Sequence, residues 1–338
     1  MRSERWITIW SYAQRRTSFT KWENQNSFKL EIPNNVAGYG IKLKFSNWYG
    51  TRTVGVRSVK ICLREQEYLV KVNFQQEFSV SPDRDVFSDV IFLDIAPKDI
   101  LKVKVIFVDQ LRPESGNTFQ NGIAMILQSV LLVTNEKVNV VAFFGDSITH
   151  GQKWTKPLVE EWYKRYSGKL AAFEVAVGGS RLLSDSPVKE DETLGFRAIT
   201  RFKHDIIENE GINYVVFALG LNDLSMEEGE LLTLESYQKE VLKLIDLAHE
   251  REIKMIALTI TPRIESEYYT LKKNDLRKEI NQWILNDAPF DLAVDIASSV
   301  ANEDDTALKK EYRDIDGIHI NEAAGKVIAD LLKNTQIF

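Results

Sequence analysis

The hydrophobic pattern of this chain changes once, near residue 135, and that change limits the folds open to it. Before it, short apolar runs at residues 28–32, 41–45, 54–63, 68–74, 90–94, 101–108 and 123–133 are separated by polar turns. Within several of them apolar and polar residues alternate, as in Leu101-Lys102-Val103-Lys104-Val105. A period of two puts one face of a strand into a core. No long helical pattern intervenes, so an antiparallel β-sandwich is predicted. After residue 138 the pattern becomes strand, helix, strand. Strands are expected at 138–144, 173–177, 214–219, 255–260 and 292–297, with amphipathic stretches between them. In the clearest, residues 234–251, Val241, Leu244, Ile245 and Ala248 form one stripe. Five strands separated by helices imply a parallel sheet covered on both faces. The last helix should start at Asn321, a good N-cap, and bury Ala324, Val327, Ile328 and Leu331. The polar residues 134–137 read as a tight junction between a domain at 1–135 and another at 136–338.

Charge and cysteine usage exclude several classes. A net charge of -6 leaves no electrostatic footprint for nucleic acid or an anionic membrane. The only cysteine is Cys62, so neither an intramolecular disulfide nor a cysteine metal cluster can form. The start, MRSERWITIWSYAQRR, has no signal-peptide apolar core. No apolar stretch is long enough to span a bilayer. A cytoplasmic protein without a membrane span is expected, although a secreted chain trimmed of its leader would read the same way.

Ser147 is the first candidate for chemistry. It lies in Phe143-Phe144-Gly145-Asp146-Ser147-Ile148-Thr149-His150-Gly151, where an expected strand breaks into a polar turn. Open α/β sheets bind ligands at such strand ends. A serine nucleophile needs a base within reach, and the base needs an orienting acceptor. Four histidines are available. His249 ends an amphipathic helix and reads as a surface residue. His204 reads as helical and peripheral. His150 follows the serine too closely to fold back onto its hydroxyl, but it can line the rim. His319 remains, three residues after Asp316 with Gly317 between them. A tight turn there brings a carboxylate to the imidazole N–H, although a helix-start turn with a solvated aspartate explains the same residues taken alone. Donors for an oxyanion are offered by Gly178-Gly179-Ser180, after the second strand of the parallel sheet, and by Asn222 in Gly220-Leu221-Asn222-Asp223, after the third. Singly, each is also an ordinary turn or cap. Asp316 and His319 alone fall short of a closed metal site, so no metal or organic cofactor is expected.

Serine, glycine, asparagine and Asp-x-x-His thus follow the first, second, third and fifth strands of the sheet, in that order. In this the chain resembles the SGNH (GDSL) hydrolase family, over roughly residues 138–334. The resemblance implies a flavodoxin-like three-layer domain with strand order 2-1-3-4-5. It makes Ser147 the nucleophile, His319 the general base and then acid, and Asp316 the residue that orients His319. The N–H groups of Ser147 and Gly179 and the side chain of Asn222 become the oxyanion hole. The absence of a Gly-x-Ser-x-Gly elbow argues against an α/β-hydrolase. Two positions depart from the family pattern: Ser180 stands where a supporting asparagine is customary, and Ile320 where proline often follows the histidine. Trp6-Ile7-Thr8-Ile9-Trp10 and the segment from Leu43 to Gly50 are similar to regions ahead of the catalytic domain in two-domain SGNH carbohydrate esterases. That implies a jelly-roll-like sandwich and an oligosaccharide or small-molecule ester as substrate.

No long Leu- and Phe-rich insertion offers a lipase-like lid, so a short acyl group, acetyl above all, is expected. Trp154 and Trp162 read either as sugar-stacking surfaces or as core aromatics. A lysophospholipase or arylesterase and an acyltransferase would use the same residues, whereas a non-catalytic carbohydrate-binding protein would not need them. Residues 265–270 are a candidate overhang above the pocket.

Overall fold

The computed structural model describes residues 4–14, 27–50, 52–108, 118–120, 123–185, 195–225, 232–266 and 268–338. The strands before residue 135 are β1 (Arg5–Ser11), β2 (Ser27–Pro33), β3 (Gly38–Ser46), β4 (Val54–Leu63), β5 (Gln66–Val70), β6 (Phe78–Val80), β7 (Asp85–Phe87), β8 (Ile91–Ile95), β9 (Ile100–Phe107), β10 (Thr118–Gln120), β11 (Ile123–Met125) and β12 (Leu127–Thr134). One sheet runs β1-β12-β3-β7, with β8 also on β3; the other runs β2-β9-β4-β5, with β6 on β4; β10 and β11 pair with each other. Every pairing is antiparallel. The alternation read from the sequence is the burial pattern of β9, where Leu101, Val103, Val105 and Phe107 point into the core. β12 is buried along its whole length, as expected of a strand covered on both faces. The run expected at 68–74 stops at Val70 because Asn73 and Phe74 take φ of 50° and 64° in a turn closed by Val72 and Gln75.

The second half is a five-stranded parallel sheet of β13 (Asn139–Gly145), β14 (Leu170–Glu174), β15 (Tyr214–Ala218), β16 (Lys254–Leu258) and β17 (Leu292–Val294), ordered β14-β13-β15-β16-β17. This is the 2-1-3-4-5 order, with the first and third strands side by side. The helices are α1 (Ser147–His150), α2 (Thr155–Arg165), α3 (Ala198–Phe202), α4 (Leu221–Leu224), α5 (Leu234–His249), α6 (Leu271–Asn286), α7 (Ala297–Val300) and α8 (Glu322–Asn334). α5 starts at Thr233 with a reciprocal capping box to Ser236, and it buries the stripe of Val241, Leu244, Ile245 and Ala248. Full burial of each large aliphatic side chain stabilises by about 1.5–3 kcal/mol. Asn321 caps α8 by accepting from the N–H groups of Ala323 and Ala324. Ala324 and Ile328 are buried, but Val327 and Leu331 are half-buried, and Ala329 and Leu332 complete the interior face.

The two halves meet through bonds to main-chain groups. Thr8 N donates to Glu210 O at 2.8 Å, Asn35 Nδ2 to Leu170 O at 2.9 Å, and Arg5 Nη2 to Val138 O at 2.6 Å. β1 runs beside β14, the edge of the parallel sheet.

Candidate active site

β13 ends at Gly145, and the chain turns at once into α1. Asp146 is the cap, its Oδ1 accepting from Ile148 N at 2.9 Å. Ser147 is therefore the first residue of α1, at the carboxyl end of β13. His319 reaches it from the loop before α8. Its Nε2 lies 2.8 Å from Ser147 Oγ, and its Nδ1 lies 2.6 Å from Asp316 Oδ2. With Nδ1–H donating to the carboxylate, Nε2 is free to accept from the serine hydroxyl.

The loop is wound so that Asp316 Oδ1 also accepts from the N–H groups of Ile318 and His319, each at 2.9 Å. Gly317 permits this with φ 70°. Burial acts to raise the Asp316 carboxyl, but the His319 and Ile318 N–H groups and the imidazole outweigh it and hold the group at about 2. Asp314, just upstream, pairs with Lys153. Glu265 pairs with Arg313 and lies against Gly317. The segment expected to overhang thus packs beside the Asp316 loop; residue 267 lies outside the described residues.

The donor segments lie beside Ser147 and its cap Asp146. Gly178 lies so close to Ser147 that a Cβ built there would stand 3.8 Å from the serine Cβ. Gly179 turns the chain with φ 69°. Asn222 Nδ2 donates to Ser180 O at 3.0 Å, and it lies 3.4 Å from Asp146 Oδ2. One amide hydrogen is therefore firmly used and the other only weakly held. Burial pushes the Asp146 carboxyl up to about 6, against the Ile148 N–H and nearby positive groups.

Ser180, at the position of the customary asparagine, accepts from Arg201 through its hydroxyl; the same guanidinium donates to Val175 O at 2.7 Å. Asp223 braces the loop from the other side, accepting from the N–H groups of Leu182 and Leu183 at 2.8 and 2.9 Å. Arg201 and Asp223 had no role in the sequence reading. A buried arginine on a weakly patterned helix gives no local signal.

The remaining histidines separate cleanly. His150 ends α1 and lines a cavity of about 420 Å³ bounded by β1, β2, α2 and β14, away from the serine–imidazole pair. His249 ends α5 and pairs with Asp291 at 2.9 Å. His204 is not peripheral: it is 5% exposed, in a π-helical turn at Lys203–Ile207. Its ring stacks on Trp48 at 3.8 Å, and its Nδ1 meets Asp205 Oδ1 at 2.9 Å. No local pattern marks this burial, because Trp48 and Asp85, which cover the ring, lie more than a hundred residues upstream. Asp85, His204 and Glu208 form a group of potential metal ligands, but the Lys44 ammonium already sits 2.7 Å from Asp85 and 3.7 Å from Glu208. Trp154 and Trp162 are 1% and 2% exposed and pack around Phe143. They are core residues and present no stacking surface.

A model of the GDSL-like lipase/acylhydrolase family matches residues 143–327, more than half of the chain. The chain belongs to this family. As a GDSL-like acylhydrolase it is a carboxylic ester hydrolase. A search of curated proteins finds no match. Among solved structures, a GDSL-like lipase from Bacteroides thetaiotaomicron is 20% identical, covering 58% of this chain and 86% of its own, with a TM-score of 0.44. The esterase EstA from a Pseudoalteromonas species is 16% identical over 57% of this chain and 94% of its own, with a TM-score of 0.41. A family two carbohydrate esterase from Cellvibrio japonicus is 11% identical over 98% of this chain and 96% of its own, with a TM-score of 0.36. No helix among the described residues of this acylhydrolase is long and apolar enough to cross a membrane.

Proposed function

We propose that this acylhydrolase cleaves short-chain esters, above all acetyl esters of carbohydrates, through a Ser147–His319–Asp316 triad. The supporting observation is the unbroken relay from Ser147 Oγ through both ring nitrogens of His319 to Asp316. Ser147 attacks the ester carbonyl as His319 takes its proton. The negative oxygen is held by the N–H groups of Ser147 and Gly179 and by the weakly held hydrogen of Asn222. Collapse expels the alcohol, which takes the proton from His319, and leaves an acyl-enzyme. Water activated by the same imidazole releases the acid.

Two features favour a large polar alcohol over a long acyl chain. The His319 and Asp316 side chains are 37% and 43% exposed, so the leaving-group side is open. No apolar lid covers them among the described residues. Residues 1–135 are read as a sandwich domain braced against the hydrolase domain at 136–338. Hydrolysis of p-nitrophenyl acetate, p-nitrophenyl octanoate and acetylated oligosaccharides, with Ser147→Ala as control, tests the reading. Acetyl substrates should be cleaved best and the variant should be inactive. Preference for the octanoate would remove the substrate assignment, and turnover by the variant would remove the nucleophile.

A further inference from the structure

Among the described residues three arginines are buried, and two of them have counter-ions. Arg201 pairs with Asp205 at 3.4 Å and Arg277 with Asp305 at 2.7 Å. Arg263 is only 9% exposed, yet it forms no ion pair among the described residues. Among the described residues its side chain makes one bond, a long one from Nη1 to Asn222 Oδ1 at 3.4 Å. Its Nε is buried without a partner. Buried charges are ordinarily paired, because an isolated one bears its full desolvation penalty.

The two aspartates whose charge reaches Arg263 are engaged elsewhere. Asp146 caps α1 and faces Asn222. Asp316 holds His319. The backbone that carries Arg263 is also fixed on both sides. Just before it, Ile260 O accepts from Arg277 Nη1 at 3.0 Å and Asn281 Nδ2 at 2.9 Å, and Ile260 N donates to Asn281 Oδ1 at 2.8 Å. Just after it, Ile264 N donates to Thr306 O at 3.0 Å. Orienting the Asn222 carboxamide does not require a charge; a hydroxyl or amide would do so at a smaller desolvation penalty.

We propose that Arg263 is an anion-recognition residue of the active site, pairing with a carboxylate carried by the ester substrate. The substrate class is then an acidic ester. This rests on the reading of Ser147, His319 and Asn222 as the acyl-transfer site. The carboxylate belongs either to the acyl group, as in a hemi-ester of a dicarboxylic acid, or to the alcohol, as in an acetylated uronic acid.

The test compares kcat/KM for matched acidic and neutral substrates in the wild type, Arg263→Gln and Arg263→Lys. Mono-p-nitrophenyl succinate against p-nitrophenyl butyrate probes the acyl side. Acetylated oligogalacturonate against acetylated xylo-oligosaccharide probes the alcohol side. In one of the two pairs the acidic-to-neutral ratio should fall about tenfold or more in Arg263→Gln, as expected for loss of a charge-assisted bond. Arg263→Lys should keep part of it, and the responding pair locates the carboxylate. Equal losses on acidic and neutral substrates, or no change in either ratio, would overturn the proposal. Should Arg263→Gln fail to fold, inhibition of the wild type decides. Glutarate should compete with p-nitrophenyl acetate where glutaramide does not, and equal inhibition by both would overturn it. A wild type that cleaves no ester, or a Ser147→Ala variant that retains turnover, would instead refute the underlying site.

Discussion

His319 Nε2 and Ser147 Oγ stand 2.8 Å apart although 172 residues of chain separate them. Two local devices bring this about. Asp146 caps α1 so that the serine starts the helix, and the Asp316 carboxylate gathers two backbone N–H groups and the imidazole into one loop. Asp316→Asn is expected to keep the loop's backbone bonds while offering the imidazole an amide in place of a carboxylate. In a well-studied triad the equivalent change lowers kcat about 10⁴-fold, and a loss of that order is expected here. Because Asp316 is held at about 2, it stays ionised through the mildly acidic range. The acid limb of the wild-type rate profile should therefore show no inflection between pH 3 and 4. An inflection there that disappears in Asp316→Asn would contradict the ionised-carboxylate picture.

In the proposed mechanism Asn222→Ala removes one oxyanion donor. A fall in kcat of about 10² to 10³ is expected, with KM for a small ester changing much less. Steady-state kinetics on p-nitrophenyl acetate measure both. A change confined to KM would mean that the carboxamide binds substrate without acting on the charged intermediate.

The segments that make up the candidate site were legible because each is local. A polar turn after an apolar strand, a Gly-Gly after the next, and a carboxylate three residues before a histidine all announce themselves within a few positions. The spacing gave a parallel sheet of five strands, and only the resemblance to the SGNH family supplied their order. The supports were not legible. Arg201 reaches Ser180 and Val175 across 21 and 26 residues, and Asp223 reaches Leu182 across 41. Nothing near Arg263 in the sequence marks it as lying beside Asn222. Ser180 departs from the family pattern, yet its carbonyl accepts from Asn222 and its hydroxyl from Arg201.

Glu174, in the cavity beside α2, should make the protein less stable as pH rises. Burial pushes its carboxyl up to about 7 from an ordinary 4.5, partly offset by donors on Thr155 and Gln152. Below 4.5 the group is neutral in both the folded and unfolded chain. Between 4.5 and 7 the unfolded chain ionises first, so folding stability declines. Above 7 the full penalty applies, about 3 kcal/mol by linkage. Glu174→Gln should therefore raise the melting temperature by several degrees at pH 8 and by little at pH 4. A gain of equal size at both pH values would point to packing instead of ionisation.

His204 should act in the opposite sense. Its ring lies between the two halves, bonded to Asp205 on one side and 4.0 Å from Asp85 Oδ1 on the other. Burial alone would lower its pKa, but the two carboxylates outweigh it and the pKa is raised above the usual 6.5. The stability it contributes is thus fully present below 6.5 and is lost as pH rises through the raised value. His204→Gln leaves Asp205 to Arg201 and Asp85 to Lys44 while deleting the cation between them. Removing one partner from a buried ionic group costs about 3–5 kcal/mol, so a loss near the lower figure is expected at pH 5.5 and a clearly smaller one at pH 9. Urea unfolding at the two pH values measures this directly. The comparison is with the wild type at each pH, so the separate pH dependence of Glu174 cancels. Equal losses at pH 5.5 and 9 would mean that His204 contributes through its stacking on Trp48 and not through its charge.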